Sequence, residues 1–187
     1  MEESYELTST ALSTAPNLEN AAAAILAVRA AGAHPQGIRQ GLAAFHPLPH
    51  RMTVAAEVEG VRYINDSKAT NIGAVQAALE SMTAPVVLIA GGRDKGGDYL
   101  LIADQVRAKV KAMLLIGEAK EKMAAIFSAM TQVETLDSLD QAVQRAHELA
   151  VSGDVVLLSP ACASFDMFSG YAERGRVFTE LVLGLKS

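Results

Sequence analysis

The chain has 187 residues, 50% hydrophobic and 20% charged, with a formal net charge of −5; that suits one well-buried domain, or one domain and a piece of another, and offers no basic surface for nucleic acid. No apolar run approaches the ~20 residues of a membrane helix, and the opening "MEESYELTST" lacks the basic-then-apolar order of a signal peptide. One cysteine, Cys162, and four histidines, at 34, 46, 50 and 147, exclude an internal disulfide and show no metal-ligand spacing, so a cytoplasmic chain with no membrane partner is expected.

Residues 1–16 lack periodicity and read as a loose lead-in. "NLENAAAAILAVRAAG", 17–32, predicts a helix with Asn17 at its cap and Gly32 as its stop. "PQGIRQGLAAF", 35–45, predicts a second, opened by Pro35. Prolines 47 and 49 in "HPLPHR" mark a boundary between a helical segment, 17–47, and a domain, 48–187. "MTVAAEVEGVRYI" then reads as two strands around Glu59-Gly60. Beyond it, helices at 71–82, 98–109, 118–130 and 138–151 alternate with strands at 84–92, 110–117, near Val133 and at 153–160, and a last helix runs to about Gly184. The runs "VVLIA", "AMLLI" and "VVLL" are apolar at every position, as in strands covered on both faces. The expected class is therefore α/β: an open, doubly wound, mostly parallel Rossmann-like sheet with helices on both faces, preceded by a short helical segment.

Such sheets bind ligands beyond the carboxyl ends of their strands. The loops expected there are 65–70 (NDSKAT), 91–98 (GGRDKGGD), 117–120 (GEAK) and 159–168 (SPACASFDMF). In the second, glycines 91, 92, 96 and 97 allow close backbone approach, and Lys95 could meet a carboxylate or phosphate; the plain alternative is a solvated lysine on a mobile loop. Neither GxxxxGK[ST] nor GxGxxG occurs. In "NDSKATN", Asp66 could accept from ribose hydroxyls while Lys68 and Thr70 face phosphate at a helix amino end; alternatively Asp66 or Thr70 only caps that helix. Ser164 could cradle a carboxylate or serve as an N-cap, and Cys162 reads as a small buried hydrophobe rather than a nucleophile. Arg51 could grip a phosphate with its fork, or lie on the surface as an ordinary arginine.

Taken together, "LPHR" (48–51), "INDSKATN" (64–71), "GGRDKGGD" (91–98) and "LSPACASFDMFSGYAERGRVF" (158–178) resemble the C-terminal part of the Mur ligases, and within them the branch that adds D-glutamate. "PNLENAAAAILA" resembles the end of their central domain, where the family reads HNxxNxxAA and this chain has Pro16 in place of the histidine. The resemblance covers about residues 16–187. It implies an ATP-dependent, amide-forming ligase of peptidoglycan synthesis. In that reaction ATP phosphorylates the carboxylate of UDP-N-acetylmuramoyl-L-alanine, and the amine of D-glutamate attacks the acyl phosphate. It implies that Asn17 and Asn20 reach the adenine side of ATP, that Arg51 and Asp66 hold the ribose and its neighbouring phosphate, and that Lys68 and Thr70 lie near the phosphates and the incoming amino acid. Lys95 would pair with one D-glutamate carboxylate; Ser164, the backbone at Phe165 and Tyr171 would hold the other, with Tyr171 standing where relatives often have Phe. The resemblance further implies that the UDP-sugar domain and the central ATPase domain, with the P-loop and the Mg²⁺ ligands, are missing here. This stretch alone is then expected to be inactive, with no catalytic residue or metal ligand of its own. A ligase for another acceptor (L-glutamate or the folylpolyglutamate type) and a non-catalytic nucleotide-binding module stay open as alternatives.

Overall fold

The computed structural model describes residues 4–7, 12, 17–46 and 48–185. Of the expected lead-in, all but 4–7 and 12 lies outside the described residues, as does Pro47. The chain divides into two compact units, Met1–Leu48 and Pro49–Ser187.

The first unit contains α1, Asn17–Ala30, and α2, Pro35–Ala43. Gly32, at φ 87°, ends α1. The Ala33 N–H reaches the Val28 carbonyl at 2.9 Å and the Gly32 N–H reaches that of Arg29 at 3.0 Å, a Schellman closure that needs a left-handed residue. α2 opens on Pro35, and the His34 side chain accepts from the Gln36 N–H.

The second unit begins with a hairpin, β1 (Thr53–Val58) and β2 (Val61–Asn65), paired antiparallel. Its two-residue turn places Glu59 at φ 51° and Gly60 at φ 76°, a primed turn whose twist matches that of the strands. Then come α3 (Ile72–Ser81), β3 (Val86–Gly91), a short 3₁₀ turn (Tyr99–Ile102), α4 (Ala103–Lys109), β4 (Val110–Ile116) and α5 (Lys120–Phe127). β5 (Gln132–Thr135), α6 (Leu139–Leu149), β6 (Val155–Leu158) and α7 (Tyr171–Gly184) complete it. The expected single helix over 98–109 is thus two pieces. Asp98 caps the 3₁₀ turn through the Leu100 N–H, and Tyr99 is buried and tied elsewhere by its hydroxyl, so the first turn is set by those anchors rather than by helical register.

The six strands form one sheet in the order β1-β2-β6-β3-β4-β5, parallel throughout except for β1. Alternate residues of each inner strand serve two separate cores. Leu88, Met113 and Leu157 pack with Val75 and Leu79 of α3, Val106 of α4 and Phe127 of α5. Ile89, Leu114 and Leu158 pack with Val143 of α6 and Phe178 of α7. The sheet is therefore covered on both faces, which explains strands without polar alternation. From β3 the chain steps outward to β5, then returns through α6 to lay β6 between β2 and β3. The loops after β2 and β3 lead to one face and the loop after β6 to the other. Such a reversal opens a crevice at the carboxyl ends of the strands.

Candidate functional site

The four strand-end loops meet around β6 and are sewn together by their backbones. The Ala161 N–H donates to the Ala69 carbonyl at 3.0 Å, and those of Gly91 and Arg93 donate to the carbonyls of Pro160 and Ala163, both at 2.9 Å. The 117–120 loop joins through Ala119 N–H to Gly92 O at 2.9 Å and through Glu118 N–H to the Asp166 carboxylate at 2.9 Å. Close approach explains the glycines: a Cβ on Gly91 would collide with the Ile116 carbonyl, and one on Gly92 with the Ala163 carbonyl. Ala161 sits at φ 61°, a left-handed conformation that costs an alanine ~1–2 kcal/mol; the hydrogen bonds on either side of it hold it there.

Asp66 is buried, 4% exposed, and accepts from the Ser159 hydroxyl at 2.9 Å and from the Met52 N–H at 3.2 Å. Burial pushes its carboxyl up to about 6, against the pull of those two hydrogen bonds and of Arg51. Lys68 lies over the Tyr171 ring, 4.5 Å from its centroid, with Nζ 3.3 Å from the Tyr171 hydroxyl. This is a contact that phenylalanine could make only in part. The structure thus joins one residue expected at the nucleotide to one expected at the amino acid. Lys95 and Phe165 are exposed, Thr70 and Arg51 half-buried. Ser164 is 2% exposed, and among the described residues the buried side-chain polar atom left without a partner is Gln105 Oε1. The N-cap readings need correcting. Asn71, accepting from the Ala74 N–H at 2.9 Å, caps α3, and not Asp66 or Thr70. Gly170 precedes α7, so Ser164 caps no helix and instead offers its carbonyl to the N–H groups of Met167 and Phe168. Asn17 and Asn20 belong to α1 in the first unit.

Sequence reasoning passed over the residue that clamps these loops, Arg174. It is 1% exposed; Nε donates to Ser67 Oγ at 3.0 Å, and Nη2 donates to the carbonyls of both Ser67, at 2.9 Å, and Cys162, at 3.2 Å. Burial lowers its guanidinium to about 10, so it stays charged at neutral pH while gripping carbonyls rather than a carboxylate. Asn65 was also passed over; its amide donates to the Gly175 carbonyl at 2.7 Å and approaches His50 Nδ1 at 3.1 Å. One signal was available. Gly175 lies inside a helix, which usually marks a close approach, and a Cβ there would collide with the His50 ring.

An open, doubly wound sheet whose polar loops gather at its strand ends defines a ligand-binding α/β domain. The same fold occurs in UDP-N-acetylmuramate–alanine ligase from Thermotoga maritima, with TM-score 0.64, 15% identity, and coverage of 91% of this chain and 38% of that one. E. coli FolC in complex with ADP, without folate substrate, has TM-score 0.64 and 22% identity over 90% of this chain and 40% of that one. The chain belongs to the Mur ligase family: residues 50–162 match the family described as Mur ligase, glutamate ligase domain. Among curated relatives, the UDP-N-acetylmuramoylalanine–D-glutamate ligase of Chlorobium limicola is 46% identical over 90% of this chain. The chain spans 36% of that relative's length. Among the described residues no helix is long and apolar enough to cross a membrane.

Proposed function

We propose that this chain forms the acceptor-binding side of a cytoplasmic ATP-dependent ligase that joins D-glutamate to UDP-N-acetylmuramoyl-L-alanine in peptidoglycan synthesis. In this reading 48–187 is the C-terminal domain and 17–47 the helical end of the central domain. Alone, the chain is inactive. The observation that carries the reading is the seam between two strand-end loops: the Arg93 N–H donates to the Ala163 carbonyl at 2.9 Å, which ties the loop of Ser164 to the loop of Lys95. A hydroxyl and an ammonium on two loops tied in this way can converge on one small dicarboxylate. Lys95 takes one carboxylate of D-glutamate; Ser164, the Phe165 N–H and Tyr171 take the other, with Thr70 beside them.

ATP fits the donor set of the 51–68 region, where two cations, Arg51 and Lys68, accompany the buried acceptor Asp66. When bound, ATP supplies the phosphoryl group that activates the muramoyl-alanine carboxylate, and Mg²⁺ is held by residues of the preceding domains. This chain's residues orient and neutralise: they hold the amino acid so that its amine faces the activated carbonyl, work that rests on position and electrostatics.

The test is a ligase assay on the complete enzyme carrying this chain. Lys95→Ala should raise the KM for D-glutamate about tenfold or more, the loss of one charged hydrogen bond worth ~1.5–3 kcal/mol, and leave the KM for ATP unchanged. L-Glutamate should not replace the D isomer. Equal use of both isomers, or an unchanged KM for D-glutamate, would overturn the reading.

A further inference from the structure

Lys95 stands on backbone that by itself holds nothing in place. Gly96 follows it at φ 73° with no atom within 4 Å of where a Cβ would be, and the Lys95 ammonium has no hydrogen-bond or ion-pair partner among the described residues. A cation meant to meet a small ligand at a fixed place needs its neighbours to fix it. The neighbour that does so is Asp94. One carboxylate oxygen accepts from the Gly96 N–H at 2.9 Å, spanning Lys95, and from the Tyr99 hydroxyl at 2.9 Å. The other receives Lys122 Nζ of α5 at 2.8 Å. Lys122 also lies 5.2 Å from the centroid of the Tyr99 ring, so the three groups form a closed set. The Tyr99 hydroxyl reaches further, to Cys162 Sγ at 3.1 Å. Cys162 is two residues before Ser164. One network therefore runs from α5 through the loop of Lys95 to the loop of Ser164.

We propose that Asp94 is the positioning residue of the acceptor site: anchored by Lys122 and Tyr99, it sets the loop so that Lys95 meets the substrate carboxylate. The proposal rests on the reading of Lys95 given above. It assigns Cys162 a matching part, as the end of the brace rather than a nucleophile. The surroundings keep Asp94 ionised, with Lys122 first and then the Gly96 N–H and the Tyr99 hydroxyl holding its carboxyl down at about 2. Asp94 is therefore charged at neutral pH.

The test is a double-mutant cycle in the complete enzyme, with KM for D-glutamate and KM for ATP measured separately. Asp94→Ala should raise the KM for D-glutamate about fivefold or more and leave that for ATP unchanged; coupling of this size is usual between contacting residues. Made on top of Lys95→Ala, the same change should add little, because Asp94 acts only through Lys95. Lys122→Gln should move the KM for D-glutamate in the same direction by less. Should Asp94→Ala not fold, Asp94→Asn carries the cycle, since it keeps an acceptor for Gly96 and Tyr99 and loses the charge that Lys122 needs. An equal effect of the Asp94 change with and without Lys95 would mean a general structural role and would overturn the proposal. So would an unchanged KM for D-glutamate in the Asp94 variants while Lys95→Ala raises it. If Lys95→Ala itself has no effect, the acceptor-site reading fails first and the positioning role falls with it.

Discussion

Asp66 works against the stability of the protein that carries it. Its carboxyl, ordinarily near 3.8, is pushed up to about 6 by burial, so the folded state binds a proton that the unfolded state has released. Stability from this group is then full below pH 3.8 and lost as pH rises to about 6, a difference on the order of 2–3 kcal/mol. Asp66→Asn should raise stability at pH 7.5 by that order. The amide can keep both contacts, accepting from Met52 N–H and donating to Ser159 Oγ. The advantage should nearly vanish by pH 4, and urea unfolding at the two pH values measures it. A gain that is the same at both would show that the charge is not its source. The expected cost is activity, the usual trade where a site keeps a buried charge for its ligand. The place of Asp66 at a strand's carboxyl end was legible because it follows an apolar run in a polar loop. Arg174 was not: "AERGR" looks like an exposed helical face, and only the folded chain shows that two loops, those of Ser67 and Cys162, turn their carbonyls to a buried fork.

At the scale of elements, strands and helices follow from local chemistry, while the N-cap expectations did not hold: Asn71 caps α3, and Asn17, expected as a cap, lies within α1; other errors gather where distant residues intervene. Gly32 was legible as a stop because a left-handed residue is needed there. Tyr99 was not legible as an anchor, since its partners lie at Asp94 and Cys162 and pull the first turn of an expected helix into a 3₁₀ turn. Turn and cap geometry set expectations for two variants. Glu59 occupies a left-handed position that asparagine adopts more readily, so Glu59→Asn should stabilise the hairpin by ~0.5–1 kcal/mol. The same change should lower the Tyr63 hydroxyl from its value of about 12, which burial raises and Glu59 raises further. Asn71→Ala should cost ~1 kcal/mol by removing the cap on the Ala74 N–H. Thermal melts of both variants would check these values; an unchanged midpoint for Asn71→Ala would mean that solvent replaces the cap without loss.

At the scale of the whole molecule, the sequence announced a parallel α/β sheet through runs that are apolar at every position. The strand order was another matter. Nothing in "GDVVLLSP" says that it belongs between β2 and β3 rather than at an edge, because pairing partners 93 residues apart, such as Ile64 and Leu157, leave no local mark. Which loops would meet was therefore legible only as a list of strand ends.

The position of β6 also governs how the polypeptide can be made. As a nascent chain emerges from the ribosome, the hairpin and the β3–β5 half are complete long before residue 155, but β2 and β3 each present an open edge to the other. Open edges invite pairing with other chains, and long-range parallel pairing is slow. This unit is thus expected to lean on chaperones until its last strand arrives, and a polypeptide stopped at Gly153 should show no cooperative unfolding and should aggregate on release. Because the same strand carries the loop of Ser159 and Ser164, the acceptor site proposed for this unit would form only when that strand and the following helix are in place, in a single step.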